Sequence, residues 1–221
     1  MKKISLQHAI AEIFFIFLGI TLAIAFQNWN EQRKEAKLEK AVLQQLQIAL
    51  QNDWEDVNDN INTHRRARGS CQNLLKALND PNPINGQMII GELIQAVDYT
   101  FLVSDVSTYE YLKSVGLHII QNDTLRSQIT KLYDVVYEGI YGVENNAKPV
   151  QRDLMTAVKK YYTSSATLPV ARKNIMEIKN DDPLKFDLLS LQFSHRNMIN
   201  RYQNNVLPEL QKLIAMVEKE L

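Results

Sequence analysis

Within a single helix, reactive side chains can act together when they stand three or four residues apart, because those share a helical face. The four histidines, His8, His64, His118 and His195, do not meet that condition. None belongs to an HExxH motif or to the Glu-x-x-His pair that places two metal ligands on one face. The chain has no GxGxxG, no phosphate loop and no GxSxG elbow. Its single cysteine, Cys71, excludes an intramolecular disulfide, a CxxC redox motif and zinc sites built from several cysteines. The acidic phrase NDWEDVNDN (52–60) lacks the glycine turn and alternating oxygen ligands of a calcium loop, and is expected to be a solvated helix face. The basic phrase THRRARG (63–69) has the charge to hold phosphate, but the expectation is a solvated cluster paired with nearby acids. The tyrosine-rich phrases KLYDVVYEGIYG and KKYYTSS are expected in the core, with a ligand pocket between helices as the alternative. We therefore expect no catalytic residue, no metal and no cofactor, and a protein that is not an enzyme.

The elements that would position any site are helical. Only 7 Gly and 6 Pro interrupt 221 residues, and Leu, Gln, Lys, Glu and Asn fill long stretches. Unbranched side chains of this kind lose little rotamer freedom in a helix, whereas a sandwich or barrel needs turn signals every 8–12 residues or so. Lys plus Arg and Asp plus Glu both number 25, so the net charge is zero. A nucleic-acid partner, which selects for a basic excess, is not expected.

One stretch departs from this mixed composition. From Ala9 to Phe26 the only ionisable residue is Glu12. Eighteen helical residues rise about 27 Å, close to a hydrocarbon core of roughly 30 Å. Asn28, Trp29 and Asn30 follow, and an indole flanked by amides suits the headgroup layer. A cleavable signal peptide is the first rival, with Lys2 and Lys3 as its basic start and Ala23-Ile24-Ala25 as its cleavage site. Glu12 interrupts its apolar stretch, and helix formers run straight past the site. A buried soluble helix is the second rival, but no polar face exists between Ile13 and Phe26. A retained membrane anchor over 9–29 is the expectation, with the lipid bilayer as its first partner. A bare count of Lys2 and Lys3 against Arg33, Lys34, Lys37 and Lys40 favours a cytoplasmic C-terminal domain.

Within the anchor, Glu12, Ile16, Gly19, Ala23 and Phe26 recur at spacings of four and three, so they form one stripe. Gly19 and Ala23 are a small-xxx-small pair of the kind that lets helix backbones approach closely in lipid. The stripe is a candidate packing face for a second copy or for another membrane protein. On it, Glu12 would meet a neighbouring helix; otherwise it reaches the headgroups from its place near one end of the span.

Glu12-Ile13, Gly19-Ile20, Leu22-Ala23 and Asn28-Trp29-Asn30-Glu31 with Arg33 resemble the opening of an uncharacterised family of small single-pass membrane proteins common in Bacteroidota. TYEYLKSVGLHIIQNDTLRSQITKLYD and the terminal LIAMVEKEL are similar to later phrases of that family, although Ala11 stands where it usually has glycine. The resemblance implies an N-in bacterial inner-membrane protein with a helical periplasmic domain and no established activity.

Beyond the anchor, the absence of Gly and Pro between residues 19 and 69 predicts a stalk that continues the same helix. Leu50, Trp54, Val57, Ile61, His64, Arg68, Cys71, Leu75 and Leu78 form a heptad-like seam, read as the core face of an intramolecular bundle in preference to an interchain coiled coil. NDPNPINGQ (79–87) predicts a loop, followed by a short helix around 88–101. Ser107-Thr108-Tyr109-Glu110 predicts a capping box, and Gly116 the end of that helix. A longer helix from about Asp123 carries Leu125, Ile129, Leu132, Val136 and Ile140, with breaks or bends at Gly139, Gly142 and Pro149. Asp182-Pro183 is expected to open the last helix, with a kink at Pro208. The expected fold is all-α: a short tail (1–8), one transmembrane helix (9–29), and a long helix continuing into an α-helical bundle domain (30–221). The functional expectation is interaction through self-association or a partner membrane protein. The alternative is a sensor-like bundle binding a small ligand, which would signal through a partner because eight residues precede the anchor.

Overall fold

A computed structural model describes residues 6–164, 169–171 and 175–221 of the chain. The expected tail, with Lys2 and Lys3, lies largely outside the described residues. The dominant element is α1 (Leu6–Asn79), 74 residues of unbroken helix. At the standard rise it extends about 110 Å. Its first third is apolar and uncovered, and the remainder is the spine of a bundle.

Around that spine the chain adds α2 (Gly86–Ala96), α3 (Ser107–Val115), α4 (Asp123–Lys131), α5 (Glu138–Val158), α6 (Asp182–Arg201) and α7 (Leu207–Glu220). A minimal antiparallel hairpin, β1 (Tyr162–Ser164) with β2 (Pro169–Ala171), is the only strand pairing among the described residues. It leaves the fold class all-α, as the composition predicts. α2, α6 and α7 pack along α1, and α5 packs on α6.

The helix starts show which local signals decide. Asn85 caps α2, accepting from the N–H groups of Gln87 and Met88, so the helix opens where the loop phrase ends. It stops at Ala96, five residues before the expected end, and the chain then runs without helix or strand to Val106. The capping box at Ser107 does not form. Asp105 instead accepts from both the Ser107 N–H (3.0 Å) and its hydroxyl (2.5 Å), so a carboxylate two residues earlier takes over. Gly116 ends α3 at φ 104°, a conformation that any Cβ would strain. The cap of α6 is Asp181 and not Asp182: its side chain accepts from the Leu184 N–H at 3.0 Å.

Two π-turns reshape the later helices. Between α4 and α5 the turn at Leu132–Tyr137 adds a residue to the repeat, and α5 then continues through Gly139, Gly142 and Pro149 to Val158. The expected breaks at those three residues are absent; the irregularity lies upstream. Between α6 and α7 the turn at Tyr202–Val206 sits just ahead of Pro208, and Leu207 N–H reaches back five residues to the Tyr202 carbonyl. Proline offers no N–H to the ladder and its ring crowds the carbonyl four residues before it. The wider turn relieves that crowding where a kink was expected.

The seam predicted on α1 is a core face within the chain. Leu50, Val57, Ile61, His64, Cys71 and Leu78 are buried, and Trp54, Arg68 and Leu75 are half-buried. The apolar core falls into two clusters along α1. The first gathers Val42, Leu46, Leu50 and Val57 with Leu125, Ile129 and Tyr137 and with Leu210, Leu213 and Val217. The second gathers Cys71, Leu74 and Leu78 with Ile89, Ile90 and Leu93 and with Leu184, Leu188 and Leu191.

Candidate functional site

The anchor residues come first. From Glu12 to Trp29 every side chain is exposed, with Phe17 at 69% and Phe26 at 66%. This helix is long and apolar enough to cross a membrane, and none of its apolar window is buried inside the protein. Glu12, Ile16, Gly19, Ala23 and Phe26 lie along one side of α1, and no part of the bundle reaches them. Around Gly19 nothing lies within 4 Å of where a Cβ would stand, so within one chain nothing there requires a glycine. At the end of the apolar run, the Phe26 and Trp29 rings sit 5.8 Å apart and the Arg33 guanidinium lies 5.7 Å over the indole. Asn28 and Asn30 flank that ring, exposed.

The second region is a buried polar seam that the sequence did not announce. The irregular segment between α2 and α3 runs alongside α1 without a strand partner, so its backbone N–H groups need other acceptors. Three carboxylates supply them. Glu144 of α5 accepts the Leu102 N–H (2.8 Å), Asp56 accepts that of Val103 (3.1 Å) and Asp53 accepts that of Asp105 (2.8 Å). Asn60 completes the fastening, donating to Phe101 O (3.0 Å) and accepting from the Thr100 hydroxyl (2.6 Å). Tyrosines close the carboxylates from the other side. Tyr137 donates to Asp53 at 2.6 Å, and Tyr202 donates to Glu144. Burial is the main cause that pushes Asp53 up to about 6, against the hydrogen bonds from Tyr137 and Asp105 that pull it down. Burial likewise raises Glu144 and Asp56.

This corrects the expectation for NDWEDVNDN. Glu55 and Asp59 are solvated, but Asp53 and Asn60 are buried and Asp56 is half-buried. The signal was spacing: Asp53 stands three residues after Leu50 and four before Val57, on the core stripe. THRRARG is corrected too. Arg65 and Arg66 donate to Asn62 (3.3 Å) and Thr63 (3.0 Å), and among the described residues neither pairs with an acid.

Between the two apolar clusters, α1 and α6 bring together two histidines that lie 131 residues apart. His64 Nδ1 and His195 Nδ1 are 2.9 Å apart, and both side chains are fully buried. His195 Nε2 lies 3.1 Å from the Ala96 carbonyl, which can only accept. His195 thus carries its proton on Nε2, its Nδ1 accepts, and His64 donates from Nδ1. Tyr99 meets His64 edge-on at 4.7 Å between centroids, and Tyr202 stacks on it at 6.0 Å. Burial, with His195 alongside, pulls His64 down to about 3, and burial lowers His195 as well. The pair is neutral near pH 7.

Chemically this seam is a lattice of paired polar groups, with His64 Nε2 the ring nitrogen left buried without a hydrogen-bond partner among the described residues. Among the described residues no three His, Cys, Asp or Glu side chains gather as a metal site would require. The Cys71 thiol is buried and pushed up to about 12, mainly by burial, which keeps it from forming a thiolate. Tyr133, Tyr137 and Tyr161 of the tyrosine-rich phrases are core residues. The groove between α5 and α6 is lined by Val143, Ala147, Val150, Leu189, Phe193 and Arg201, among others, with no tyrosine from those phrases.

A family model described as a family of unknown function (DUF6090) matches residues 12–201. That agrees with an uncharacterised family, as the N-terminal phrases imply. No curated protein and no solved structure matches the chain.

Proposed function

Starting from a chain that belongs to the family of unknown function DUF6090, we propose that it is a single-pass membrane protein whose helical domain works by interaction and not by catalysis. The observation that carries this reading is the uncovered apolar third of α1, joined without a break to the spine of the bundle. A soluble protein would not leave so many large apolar side chains in water. The anchor sits in a bacterial cytoplasmic membrane with the bundle on the periplasmic side, a placement that rests on the resemblance of the first 33 residues. Its currency is self-association or contact with a partner membrane protein through the stripe of Glu12, Ile16, Gly19, Ala23 and Phe26, while Asn28, Trp29 and Asn30 mark the interface. No cofactor, metal or nucleic acid takes part. A sensor-like role has less support, because the tyrosines and carboxylates buried between the helices are spent on hydrogen bonds to one another and to the backbone.

Expression of the full chain in a bacterium tests this. The protein should stay in the membrane pellet after carbonate extraction. A reporter that works only outside the cytoplasm should be active when fused after Leu221, and activity of a cytoplasmic reporter alone would invert the topology. In-membrane cross-linking should trap either a second copy or one recurrent membrane protein. Release by carbonate, or an absence of any cross-linked species, would overturn the anchor or the interaction reading respectively.

A further inference from the structure

Residues 31–40, EQRKEAKLEK, read as mixed charge. Helical geometry sorts that mixture. α1 runs through them unbroken, so Glu31, Glu35 and Glu39, each four apart, stack on one face. Arg33, Lys34, Lys37 and Lys40 share an arc of about 120° on the opposite face. Alternation along the chain becomes segregation around the helix.

The two faces meet different surroundings. Glu31 accepts from Gln27 (3.0 Å), and Glu39 is half-buried and accepts the Gln121 N–H at 2.7 Å. Lys40 donates to the Leu221 carbonyl at 3.4 Å. Arg33, Lys34 and Lys37 are exposed, and among the described residues none of them forms an ion pair. Their face also looks away from the bundle. Leu46, nine residues or two and a half turns beyond Lys37, is fully buried, so nothing of the domain overhangs the three cations.

Their height matters as much as their charge. Arg33 and Lys34 stand about 6–8 Å beyond Trp29 along the axis, and Lys37 about 12 Å. Helical side chains tilt toward the N-terminus, which here is the direction of the apolar span. Long side chains from these positions thus lean back into a headgroup layer roughly 5–8 Å deep. We propose that Arg33, Lys34 and Lys37 form a binding face for the phosphates of anionic phospholipids at the foot of the stalk. Arg33, already held over Trp29, offers a planar fork to a phosphate; the two lysines act as point charges. The inference rests on the membrane-anchor reading above. An acidic protein partner would satisfy the same charges, but the headgroup height and the lean of the side chains favour lipid.

The test uses the full chain in lipid vesicles and reads tryptophan emission. Trp54 lies roughly 37 Å beyond Trp29, out of reach of acyl chains, so quenching by brominated lipid reports Trp29. At equal mole fraction, brominated phosphatidylglycerol should quench at least about twofold more than brominated phosphatidylcholine, and high salt should erase the excess. The Arg33→Gln/Lys34→Gln/Lys37→Gln variant should quench equally with both lipids, whereas Arg65→Gln/Arg66→Gln should keep the excess. Brominated phosphatidylcholine also reports insertion of each variant; if the triple variant fails to insert, Lys37→Gln alone should show a reduced excess. Equal quenching of the wild type by the two lipids overturns the lipid face and leaves the acidic protein partner as the reading of those charges. Absence of quenching by either lipid overturns the anchor itself, a distinct outcome.

Discussion

The two ends of α1 obey opposite rules. Between Ile10 and Trp29 the helix exposes phenylalanine, isoleucine and leucine; between Asp53 and His64 it buries an aspartate, an asparagine and a histidine. Both are costly in water, and each makes sense only through what surrounds it. On the membrane-anchor reading the apolar end lies in a solvent without hydrogen bonds, where a helix is acceptable because it satisfies its own backbone. The polar end needs a segment without a ladder of its own, whose N–H groups the buried carboxylates accept. One helix therefore carries two kinds of incompleteness, one met by the fold and one left open. The open one is where function is to be sought.

The largest effect separates the two ends outright. A chain lacking residues 1–30 should move entirely from the membrane pellet to the soluble fraction while keeping a helical circular dichroism spectrum. Retention in the pellet would break the comparison, since the bundle would then hold its own membrane contact.

Within the bundle, Asp53→Ala should lower stability by about 3 kcal/mol, because the Tyr137 hydroxyl and the Asp105 N–H lose their shared buried acceptor. Tyr137→Phe should cost about 1 kcal/mol, since the carboxylate keeps its backbone donor. Ile20→Ala, in the anchor, should leave the bundle's denaturant midpoint unchanged. Urea titration of the three variants in detergent ranks them. A cost below that of Tyr137→Phe for Asp53→Ala would mean that the irregular segment finds other acceptors.

Acidity should act on the seam through opposed groups, the lowered His64 and His195 against the raised Asp53, Asp56 and Glu144. His64 is lowered to about 3, so the unfolded chain binds a proton that the fold refuses once pH falls below about 6.5, and stability drops. Asp53 is raised to about 6, so the fold takes a proton before the unfolded chain does between pH 6 and 3.8, and stability rises. Over their windows Asp53 is worth up to roughly 3 kcal/mol and His64 up to roughly 5 kcal/mol. The wild type should therefore show a shallow dependence between pH 6 and 4. Asp53→Asn should steepen the loss on acidification, and His64→Leu with His195→Leu should reverse its sign. Identical slopes in all three would place the titrating groups elsewhere.

How far the sequence reveals this seam depends on the range of each signal. The length of α1 is local information, written in the absence of proline and in a run without glycine between residues 19 and 69, and the core stripe from Leu50 to Leu78 follows from period alone. Asp53 lies on that same stripe, so composition hid what spacing could have shown. The π-turn at Leu132–Tyr137 leaves Val135 exposed and buries Tyr137, and no residue there announces an inserted position. The meeting of His64 and His195 is a tertiary event with no local mark. The anchor stripe is the reverse case: its residues are plain in the sequence, and a single chain has nothing to pack against them.

The smallest expected effect concerns that stripe. If a second helix lies against Gly19 and Ala23, a larger side chain at residue 19 holds the backbones apart, and loss of the Glu12 carboxylate removes a polar contact worth about 0.5–2 kcal/mol in lipid. Gly19→Leu and Glu12→Gln should each weaken cross-linking between cysteines placed at Phe26 or Ala23. Leu18→Ala lies on another face of the same helix and should leave it unchanged. The open space around Gly19 within one chain makes the experiment clean, because Gly19→Leu meets no intramolecular obstacle and its effect must come from a neighbour. Equal cross-linking in all three variants would reduce Glu12 to an interfacial residue and return the search for a partner to the exposed faces of the bundle.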